Sequence, residues 1–418
     1  MMSRLDLIIF GATGFTGKQV VRELAGNVIE NYPDLKWGVA GRSLTKLDAM
    51  LQEISNKIGV DITSVKKIEA NVKDDESLKG MCSQCSVLVN CCGPYRLYGE
   101  PVVRAAIAAR AHYVDVSGEP QFMERMQLAY DAAAREAGVY VVSACGFDSI
   151  PNDLGVIYLQ QNFCGTLNSV ESYISTSNDV ERQAFINYGT WESLIYGLAH
   201  YRELPALRKK LYPDTLPPLQ PKLKRRGLLH RRGRLWCVPF PGADASVVYR
   251  SQRRLSAAAG GRAAQIKTYA CFPSLLSALA AVLLAGALLL LSQWGPTRRL
   301  LLRQPERFSL GLISRAGPPE RAMRDTRFAV RLYGTGWPAG ADLSSPPDRK
   351  LCVQVSGMNP GYGMTALGVL FSALTILNEK DKMPECGVLT TGYAFKDTSI
   401  IQLLDENNVK FEMINRYD

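Results

Sequence analysis

The sequence predicts an α/β protein with an N-terminal doubly wound parallel sheet and a second, α+β domain that carries an apolar segment. Two observations predict the sheet. Short apolar runs alternate with helix-like segments over residues 5–150, and a glycine-rich turn joins the first run to the first helix. A third observation sets the second domain apart, because the pattern becomes irregular after residue 151 and includes a long uncharged stretch at 268–297.

Composition and charge narrow the class of protein. The 418 residues are 47% hydrophobic and 21% charged, which is enough apolar material for a large core in two or three domains. The net charge of +10 suggests an anionic partner, either nucleic acid or a membrane surface. The cysteines show no disulfide-framework spacing, and the first apolar run is too short for a secretion signal. We therefore expect reduced thiols and an intracellular protein.

The glycine-rich turn reads GATGFTG and spans residues 11–17. It follows a strand-like run, 5–10, and precedes apolar residues at helical spacing. Glycines here let the chain reverse, let the backbone approach a pyrophosphate and let the helix lie close to the strand, while the first helical N–H groups face the phosphates. The predicted dinucleotide-binding residues of this turn are Gly11, Thr13, Gly14, Phe15, Thr16 and Gly17.

The residues that follow the second strand, 36–40, indicate which dinucleotide binds. An NAD-specific site usually carries an acid after this strand, whereas this chain offers Arg42, Ser43 and Lys46. A guanidinium and a hydroxyl suit a 2′-phosphate, which an acid would repel. We therefore predict a preference for NADP(H). The alternative is that Arg42 is an ordinary solvated residue at the start of a helix.

The other elements of residues 1–150 follow the same alternation. They are helix 43–58, strands 65–68 and 87–91, helix 99–109, strand 113–116, helix 120–137 and strand 139–144. Because ligands bind beyond the carboxyl ends of parallel strands, we expect Gly93 and Pro94, which follow the fourth strand, to lie beside the cofactor.

Several residues are candidates for proton transfer. Reduction by hydride often needs an acid to protonate the product, and four suitable side chains lie near predicted strand ends: His112, Asp115, Glu119 and Asp148. Each of the four also has a structural interpretation, such as helix capping, so the sequence does not identify the catalytic residue.

Cys82 and Cys85 form a CxxC pair, but a zinc site needs four ligands, and we expect no metal.

Five motifs occur together and in order over residues 5–155. They are GATGFTG at 11–17, AGRS at 40–43, GPY with YG at 93–99, HYVD with SGE at 112–119 and GFDSIP at 146–151. In this combination the chain resembles the saccharopine dehydrogenase-like oxidoreductases, which are related to trans-acting enoyl reductases of lipid assembly. The resemblance implies a Rossmann domain that binds NADP(H), 1–150, and a substrate and dimerisation domain, 151–418, so a homodimer is compatible with it. It does not imply that this chain forms or cleaves saccharopine.

A different dehydrogenase chemistry is not expected. Extended short-chain dehydrogenases share the glycine pattern and use a Tyr-x-x-x-Lys pair as their general acid. Such a pair occurs here only at Tyr32 and Lys36, before the second strand.

A basic, proline-rich insert, 202–265, follows the first part of the second domain. Between Arg202 and Arg234 there are eleven Lys and Arg residues against two acids. Nucleic-acid binding would need aromatic side chains for stacking, which are scarce here, so we expect no nucleic-acid partner. An anionic membrane surface is the better match, and a solvated loop is the alternative.

The hydrophobic segment 268–297 is long and apolar enough for a membrane-inserted helix, with Tyr269 and Trp294 near its ends. A single span would separate residues 297–418 from the cofactor domain. We therefore expect a shallow insertion, with a bend at Gly286, on a bilayer or a lipid-droplet monolayer. A helix that is apolar all round can alternatively be enclosed within the protein.

Together these features predict an NADP(H)-dependent oxidoreductase that reduces an enoyl or carbonyl group of a small or lipid-like substrate. We expect it at the surface of lipid droplets or the endoplasmic reticulum, with the mitochondrion as an alternative. One alternative function is a non-catalytic nucleotide sensor or scaffold with the same fold. The other is a true saccharopine-forming reductase, which would need several cationic side chains in its pocket.

Overall fold

The computed structural model of the chain describes residues 4–177, 186–214 and 219–414. Two seven-stranded sheets organise this part of the chain, one entirely parallel and one mixed, together with a short two-stranded pair. The predicted α/β class is confirmed.

The first sheet takes six strands from the N-terminal third. They are β1 Leu5–Phe10, β2 Trp37–Gly41, β3 Lys66–Glu69, β4 Cys85–Asn90, β5 His112–Asp115 and β6 Tyr140–Val142. The helices that follow these strands are α1 Phe15–Glu23, α2 Leu44–Ile58, α3 Asp75–Cys82, α4 Tyr95–Ala108, α5 Pro120–Ala137 and α6 Ile150–Asn162. The strand order β6-β5-β4-β1-β2-β3 is that of a doubly wound sheet, and buried apolar clusters cover both of its faces.

The middle of the chain forms most of the second sheet. Its elements are β7 Gly165–Ser177, β8 Ile186–Asn187, α7 Tyr188–Ala199, α8 Leu204–Leu211, β9 His230–Arg232, β10 Leu235–Pro239, α9 Asp244–Ala259, β11 Gln265–Phe272, α10 Leu275–Ser292, α11 Gly295–Arg303, α12 Pro305–Phe308, β12 Ile313–Ser314, α13 Glu320–Asp325, β13 Arg327–Pro338 and β14 Arg349–Met358. The C-terminal elements are α14 Thr365–Asn378, β15 Gly387–Leu389, α15 Thr391–Phe395, α16 Ile400–Glu406 and β16 Lys410–Ile414. The second sheet has the order β16-β14-β13-β7-β11-β10-β9, and the pair β8–β12 lies outside it.

The C-terminal part of the chain returns to the first sheet. Strand β15 pairs in parallel with β6 and becomes the seventh strand, and α14 packs against α1, β4 and β5 with most of its side chains buried. The predicted domain boundary at residue 150 therefore leaves out β15, a strand of the cofactor-binding sheet, and α14, a helix that packs on this sheet. The apolar pattern of α14 reflects this burial between elements that are distant in sequence.

The basic insert 202–265 is partly folded into regular elements. It contains α8, the β9–β10 hairpin and α9, and residues 215–218 lie outside the described structure. Part of its charge is used internally, because Arg208 forms an ion pair with the buried Glu124 and Arg226 forms one with Glu171. The insert is thus a folded part of the second sheet, and its positive charge is not simply displayed to solvent.

The hydrophobic segment 268–297 also differs in detail from the prediction. Residues 268–272 belong to β11, and α10 continues through Gly286 from Leu275 to Ser292. The alternative of an enclosed helix is wrong, because Leu276 and Leu283 are 78% and 73% exposed. Residues 360–378 are also long and apolar enough to cross a membrane, but most of this second segment is buried in the core.

Close packing between α6 and the second sheet gives a test of this architecture. A Cβ atom on Gly155 would lie 2.4 Å from Leu332 Cδ1 and 3.1 Å from Val355 Cγ2. We expect Gly155→Val to lower the free energy of unfolding by about 1–3 kcal/mol, since the helix must move away from the sheet. Chemical denaturation of the variant and the parent protein measures the two free energies of unfolding. The matched control is Gly80→Val in α3, where a Cβ atom meets nothing within 4 Å; an equal loss in both variants would contradict the packing described.

Candidate functional site

The glycine turn after β1 leaves helix N–H groups available for an anion. Gly11 has a positive φ of 79°, and its N–H donates to the carbonyl of Ala40 at 3.0 Å. Helix α1 then starts at Phe15, and within the described structure the N–H groups of Phe15 and Thr16 have no acceptor. Such groups, together with the helix dipole, form a site for phosphate.

The close approach of α1 to this turn excludes side chains. A Cβ atom on Gly17 would lie 2.2 Å from the Gly11 carbonyl oxygen and 2.8 Å from the Ala12 Cα atom. On Gly11 a Cβ atom would lie 2.7 Å from the Cys92 sulfur, so the turns after β1 and β4 are also in close contact. The spacing of the glycines thus fits the pyrophosphate of a dinucleotide, as the sequence predicts.

The residues after β2 provide positive charge beside this turn. Arg42 is exposed, and Ser43 caps α2 by accepting a hydrogen bond from the Lys46 N–H at 3.3 Å. No carboxylate in the described ranges pairs with the side chain of Arg42 or Lys46. Burial raises the pKa of Cys92 to about 12, and the nearby charge of Arg42 opposes that rise. Arg42 is therefore a candidate partner for a 2′-phosphate.

The start of α4, beside Gly93 and Pro94, is capped by the protein itself. The N–H groups of Tyr95 and Arg96 each donate to the Glu119 carboxylate at 2.9 Å. Glu119 also accepts from the Ser193 hydroxyl at 2.7 Å, so this buried carboxylate links α4 to α7. Glu119 has a structural role here, and the first α4 amides are not available to a phosphate.

A cavity of about 510 Å³ lies between the carboxyl edge of the first sheet and the second sheet. Thr16 of α1 and the segments 116–117 and 144–148 line one side, and Thr176, Ser177 and residues 359–362 line the other. Asp148 is the single carboxylate among the described lining residues, which include no Lys, Arg or His. The cavity adjoins α1 at Thr16, beside the predicted cofactor site.

Asp148 is the candidate acid that reaches this cavity. Its carboxylate has no hydrogen-bond or ion-pair partner anywhere in the described structure, and Gly118 leaves room for it, since a Cβ atom there would lie 2.6 Å from Asp148 Oδ2. The side chain is exposed to the cavity, and the protein around the cavity partly desolvates the carboxylate. This desolvation raises the pKa of Asp148.

Asp115 has a different environment from Asp148. It is fully buried, and its two oxygens accept four hydrogen bonds, from the Ser117 and Ala144 N–H groups and from the Tyr113 and Ser143 hydroxyls, at 2.9–3.0 Å. Burial raises the pKa of Asp115 to about 6, although the four hydrogen bonds favour the charged carboxylate and oppose this rise. The carboxylate joins the ends of β5 and β6 and does not line the cavity, so it positions the residues that do.

His112 is not at the cofactor edge of the sheet. It is the first residue of β5, about 10 Å along the strand from Asp115, at the opposite edge of the sheet. Its Nδ1 atom accepts a hydrogen bond from the Tyr140 N–H at 3.0 Å, and burial lowers its pKa to about 4. The expectation that His112 lies near the reacting atoms is therefore wrong.

Cys82 and Cys85 are buried thiols, and burial raises the pKa of Cys82 to about 12.

Residues near the C-terminus contribute to the site and had no clear signal in the sequence. Tyr362 packs its ring against Phe15 of the glycine turn, with ring centroids 4.7 Å apart. Its hydroxyl accepts a hydrogen bond from the Asn187 N–H at 2.7 Å, and burial raises its pKa to about 12. The Thr365 hydroxyl oxygen accepts a hydrogen bond from the Phe147 N–H at 3.1 Å. These contacts depend on the return of the chain to the first sheet.

Comparisons with known proteins agree with the geometry of the turn. Residues 7–142 match the family model described as the saccharopine dehydrogenase NADP binding domain. The human saccharopine dehydrogenase-like oxidoreductase is 37% identical over 417 residues, which cover 98% of this chain and 97% of the human protein. The chain belongs to the saccharopine dehydrogenase-like oxidoreductases. It binds NADP(H), and the predictions of family and cofactor are confirmed.

Two further similarities concern a relative and a solved structure. A Caenorhabditis elegans protein named lipid droplet localized protein is 38% identical over the full length of both chains. Saccharopine dehydrogenase (L-Glu forming) from Saccharomyces cerevisiae has a TM-score of 0.55 at 15% identity, covering 98% of this chain and 100% of the yeast chain. At that identity the likeness shows a shared fold and no shared substrate.

The positive charge after β2 gives a test of the cofactor site. We expect Arg42→Gln to lower the ratio of NADPH to NADH affinity by roughly 10- to 100-fold, as expected for the loss of one hydrogen bond to a charged group, about 1.5–3 kcal/mol. Fluorescence titration with both nucleotides measures the ratio. Lys36→Gln, directly before the first residue of β2, is the control and should leave this ratio unchanged. An unchanged ratio in Arg42→Gln would contradict this assignment.

Proposed function

We propose that this chain is an NADPH-dependent reductase that takes a lipid-like substrate at a phospholipid or lipid-droplet surface and reduces its enoyl or carbonyl group. The observation that carries the proposal is α10, an apolar helix with one side packed on the protein and the other side exposed. The name of the C. elegans relative supports the same setting.

The two sides of α10 differ in their surroundings. Leu284, Leu288 and Leu291 join a cluster with Trp191 and Ile195 of α7, and this cluster fixes the helix on the protein. On the other side an exposed stripe is formed by Leu276, Leu279, Leu283 and Leu290. A helix held in this way lies along the surface of the protein, as expected for a helix that inserts shallowly into a lipid monolayer.

The end of α10 and the start of α11 suit an anionic lipid surface. Trp294, between them, is 65% exposed, and indole rings favour the boundary between hydrocarbon and water. Arg298, Arg299 and Arg303 follow within α11, and the sequence has no acid from 275 to 303. Each basic side chain close to such a surface contributes about 1 kcal/mol of attraction.

Exposed apolar side chains also lie beside the cavity. Helix α7, against which α10 packs, begins directly after β8, where Ile186 lines the cavity and is itself 37% exposed. The Ile186 N–H donates to the Leu312 carbonyl, and Leu310 and Leu312 are exposed beside it. This arrangement supports the entry of an apolar chain from a lipid surface.

The lining of the cavity favours an apolar substrate over saccharopine. Val116, Phe147, Pro318 and Met323 supply apolar surface, and serine and threonine hydroxyls supply neutral polar groups. The carboxylates of saccharopine would need cationic partners, and the described lining residues include none. The lining therefore argues against the alternative of a saccharopine-forming reductase.

Asp148 is the proposed proton donor of the reduction. When bound, NADPH supplies a hydride to one atom of the substrate double bond. The carboxylic acid of Asp148 donates its proton to the other atom, and water entering the cavity restores that proton after product release. A raised pKa suits this role, because it keeps the acid protonated to higher pH. The apolar lining meanwhile limits access of water to the reacting atoms.

The pH dependence of turnover tests the role of Asp148. Because the acid must be protonated, we expect kcat to fall as pH rises through its elevated pKa. In Asp148→Asn, kcat falls by at least about 100-fold and this alkaline limb is lost. NADPH oxidation with long-chain enals and ketones in phosphatidylcholine vesicles provides the assay. Normal NADPH affinity without turnover on any substrate in the parent protein would favour the sensor alternative instead.

The exposed stripe of α10 predicts the strength of lipid binding. We expect Leu276→Glu with Leu283→Glu to weaken binding to vesicles by at least about tenfold, because each leucine contributes about 1.5–3 kcal/mol when buried in lipid. Flotation with vesicles measures binding. Leu228→Glu is the control, since Leu228 is 64% exposed but lies outside α10. Equal binding by the α10 variant and the parent would contradict the proposed anchor.

A further inference from the structure

Two thiols lie directly opposite each other on neighbouring strands of the second sheet. Cys237 of β10 pairs with Cys271 of β11 in the antiparallel register, and the two sulfur atoms are 3.4 Å apart. They belong to the face of the sheet that is turned away from α6, because α6 packs against Leu332 of β13, whereas Tyr333, the next residue, joins the thiols in a separate cluster. The sheet therefore separates these thiols from the cavity that Asp148 lines.

We propose that Cys237 and Cys271 form a reversible oxidation site, at which a hydroperoxide converts the two thiols into one disulfide. The oxidant is hydrogen peroxide or a small organic hydroperoxide, and a dithiol reductant restores the thiols by exchange. The site is independent of the proposed reductase function. It is also compatible with reduced thiols in the resting protein, since disulfides of intracellular proteins are usually transient and respond to oxidants.

The backbone already has the spacing that a disulfide requires. Residues directly opposite each other in an antiparallel pair have Cα atoms about 4.5–5.5 Å apart, and disulfides join Cα atoms about 4.4–6.8 Å apart. Rotation of the two side chains about their Cα–Cβ bonds can bring the sulfur atoms to the bonding distance of about 2.05 Å. Strand pairing extends from Trp236 with Phe272 to Pro239 with Tyr269, so the backbone holds the two cysteines in register.

One of the two thiols reaches a second cavity, of about 300 Å³, on this face of the sheet. Cys271 is among its lining residues, together with Tyr173 and Tyr333. Cys237 is buried and is not among the described lining residues. A cavity of this size admits hydrogen peroxide or a small organic hydroperoxide, so an oxidant meets the Cys271 sulfur first.

The contact between the two sulfur atoms favours a thiolate, which is the form that reacts. The Cys271 S–H donates a hydrogen bond to the Cys237 sulfur and lowers the pKa of Cys237. Transfer of the shared proton along this contact moves the negative charge to Cys271, the sulfur that lines the cavity. Burial without such a contact acts in the opposite direction, as it raises the pKa of Cys352 to about 11.

The oxidation has two steps, in which atoms and electrons balance. The Cys271 thiolate attacks one oxygen of the hydroperoxide, the O–O bond breaks, and a sulfenic acid forms at Cys271 while the leaving oxygen takes up a proton. The Cys237 sulfur then attacks the sulfenic sulfur, the S–O bond breaks, and the hydroxyl group leaves as water. In total the two thiols lose two electrons and two protons, and the hydroperoxide is reduced to water and an alcohol, or to two waters.

The oxidation site adjoins the start of α10. Cys271 is followed by Phe272, the last residue of β11, and α10 begins three residues later at Leu275. In the oxidised form a covalent bond therefore ties this end of β11 to β10. The bond lies next to the helix that we propose as the lipid anchor.

Two other cysteines provide comparisons within the same chain. Cys352 joins the same cluster but lies on β14, and β13 and β7 separate β14 from β11. Three strand spacings place it about 14 Å from Cys271 across the sheet, which is too far for a disulfide. Cys164 is exposed and lies directly before β7, so it reports the oxidation of an accessible thiol outside the paired strands.

Oxidation of the full chain in detergent tests the proposal. The reduced protein is freed of reductant and treated with increasing hydrogen peroxide, or with tert-butyl hydroperoxide, until Cys164 is oxidised. Remaining thiols are alkylated before unfolding, and the peptides are analysed without reduction by mass spectrometry. We expect a peptide that links Cys237 and Cys271 to appear before Cys164 is oxidised and to be lost on treatment with dithiothreitol. Linkage by both oxidants shows that the site accepts an organic hydroperoxide, and linkage by hydrogen peroxide alone identifies the smaller oxidant.

Matched variants separate this pair from general oxidation. In Cys237→Ser we expect the linked peptide to be lost and the sulfenic acid to stay on Cys271, where dimedone labels it at least about tenfold more than in the parent. Cys352→Ser is the control and should leave the yield of the linked peptide unchanged, and NADP⁺ binding checks that both variants are folded. The proposal is overturned if neither hydroperoxide gives the linked peptide although Cys164 is oxidised. An equal loss of yield in the two variants would overturn it as well.

Discussion

The contact between the glycine turn and α1 is the constraint on which the rest of the site depends. With a Cβ atom on Gly17 only 2.2 Å from the Gly11 carbonyl oxygen, helix and turn can meet as they do only if that side chain is absent. The contact fixes where the first helical N–H groups point, and it brings Phe15 against Tyr362 from the far end of the chain. Cofactor binding and the shape of the cavity therefore follow from one close backbone approach.

The cavity itself is a product of chain topology. The first sheet supplies the ends of β5 and β6, held together by the four hydrogen bonds of Asp115, and the second sheet supplies the opposite wall. Asp115 and Asp148 are both desolvated, but only Asp148 faces the open space without a partner in the described structure. The two carboxylates thus differ in environment, and of the two only Asp148 faces the cavity in which we propose that it donates a proton.

The sequence predicts the first sheet well, because local signals dominate there. Strand, turn and helix alternate at short range, and the bounds of α5 at Pro120–Ala137 follow directly from an N-terminal proline and a glycine at the end. The position of β15 beside β6 and the approach of Tyr362 to Phe15 depend on contacts more than 200 residues apart, which no local pattern encodes. His112 is only three residues from Asp115 in sequence, but it lies at the start of β5, and the direction of the strand places it at the edge away from the cofactor.

The exposed apolar helix α10 and the cavity-facing Asp148 both support the proposed reduction of a lipid at a surface, and hydride transfer is its most direct test. The full chain is incubated with vesicles made from a cellular lipid extract and NADPH deuterated at C4 of the nicotinamide, and the lipids are followed by mass spectrometry. The account predicts that a lipid species gains one deuterium, and that the gain is lost in Asp148→Asn. Stoichiometric binding of NADPH with no deuterium in any lipid would contradict it.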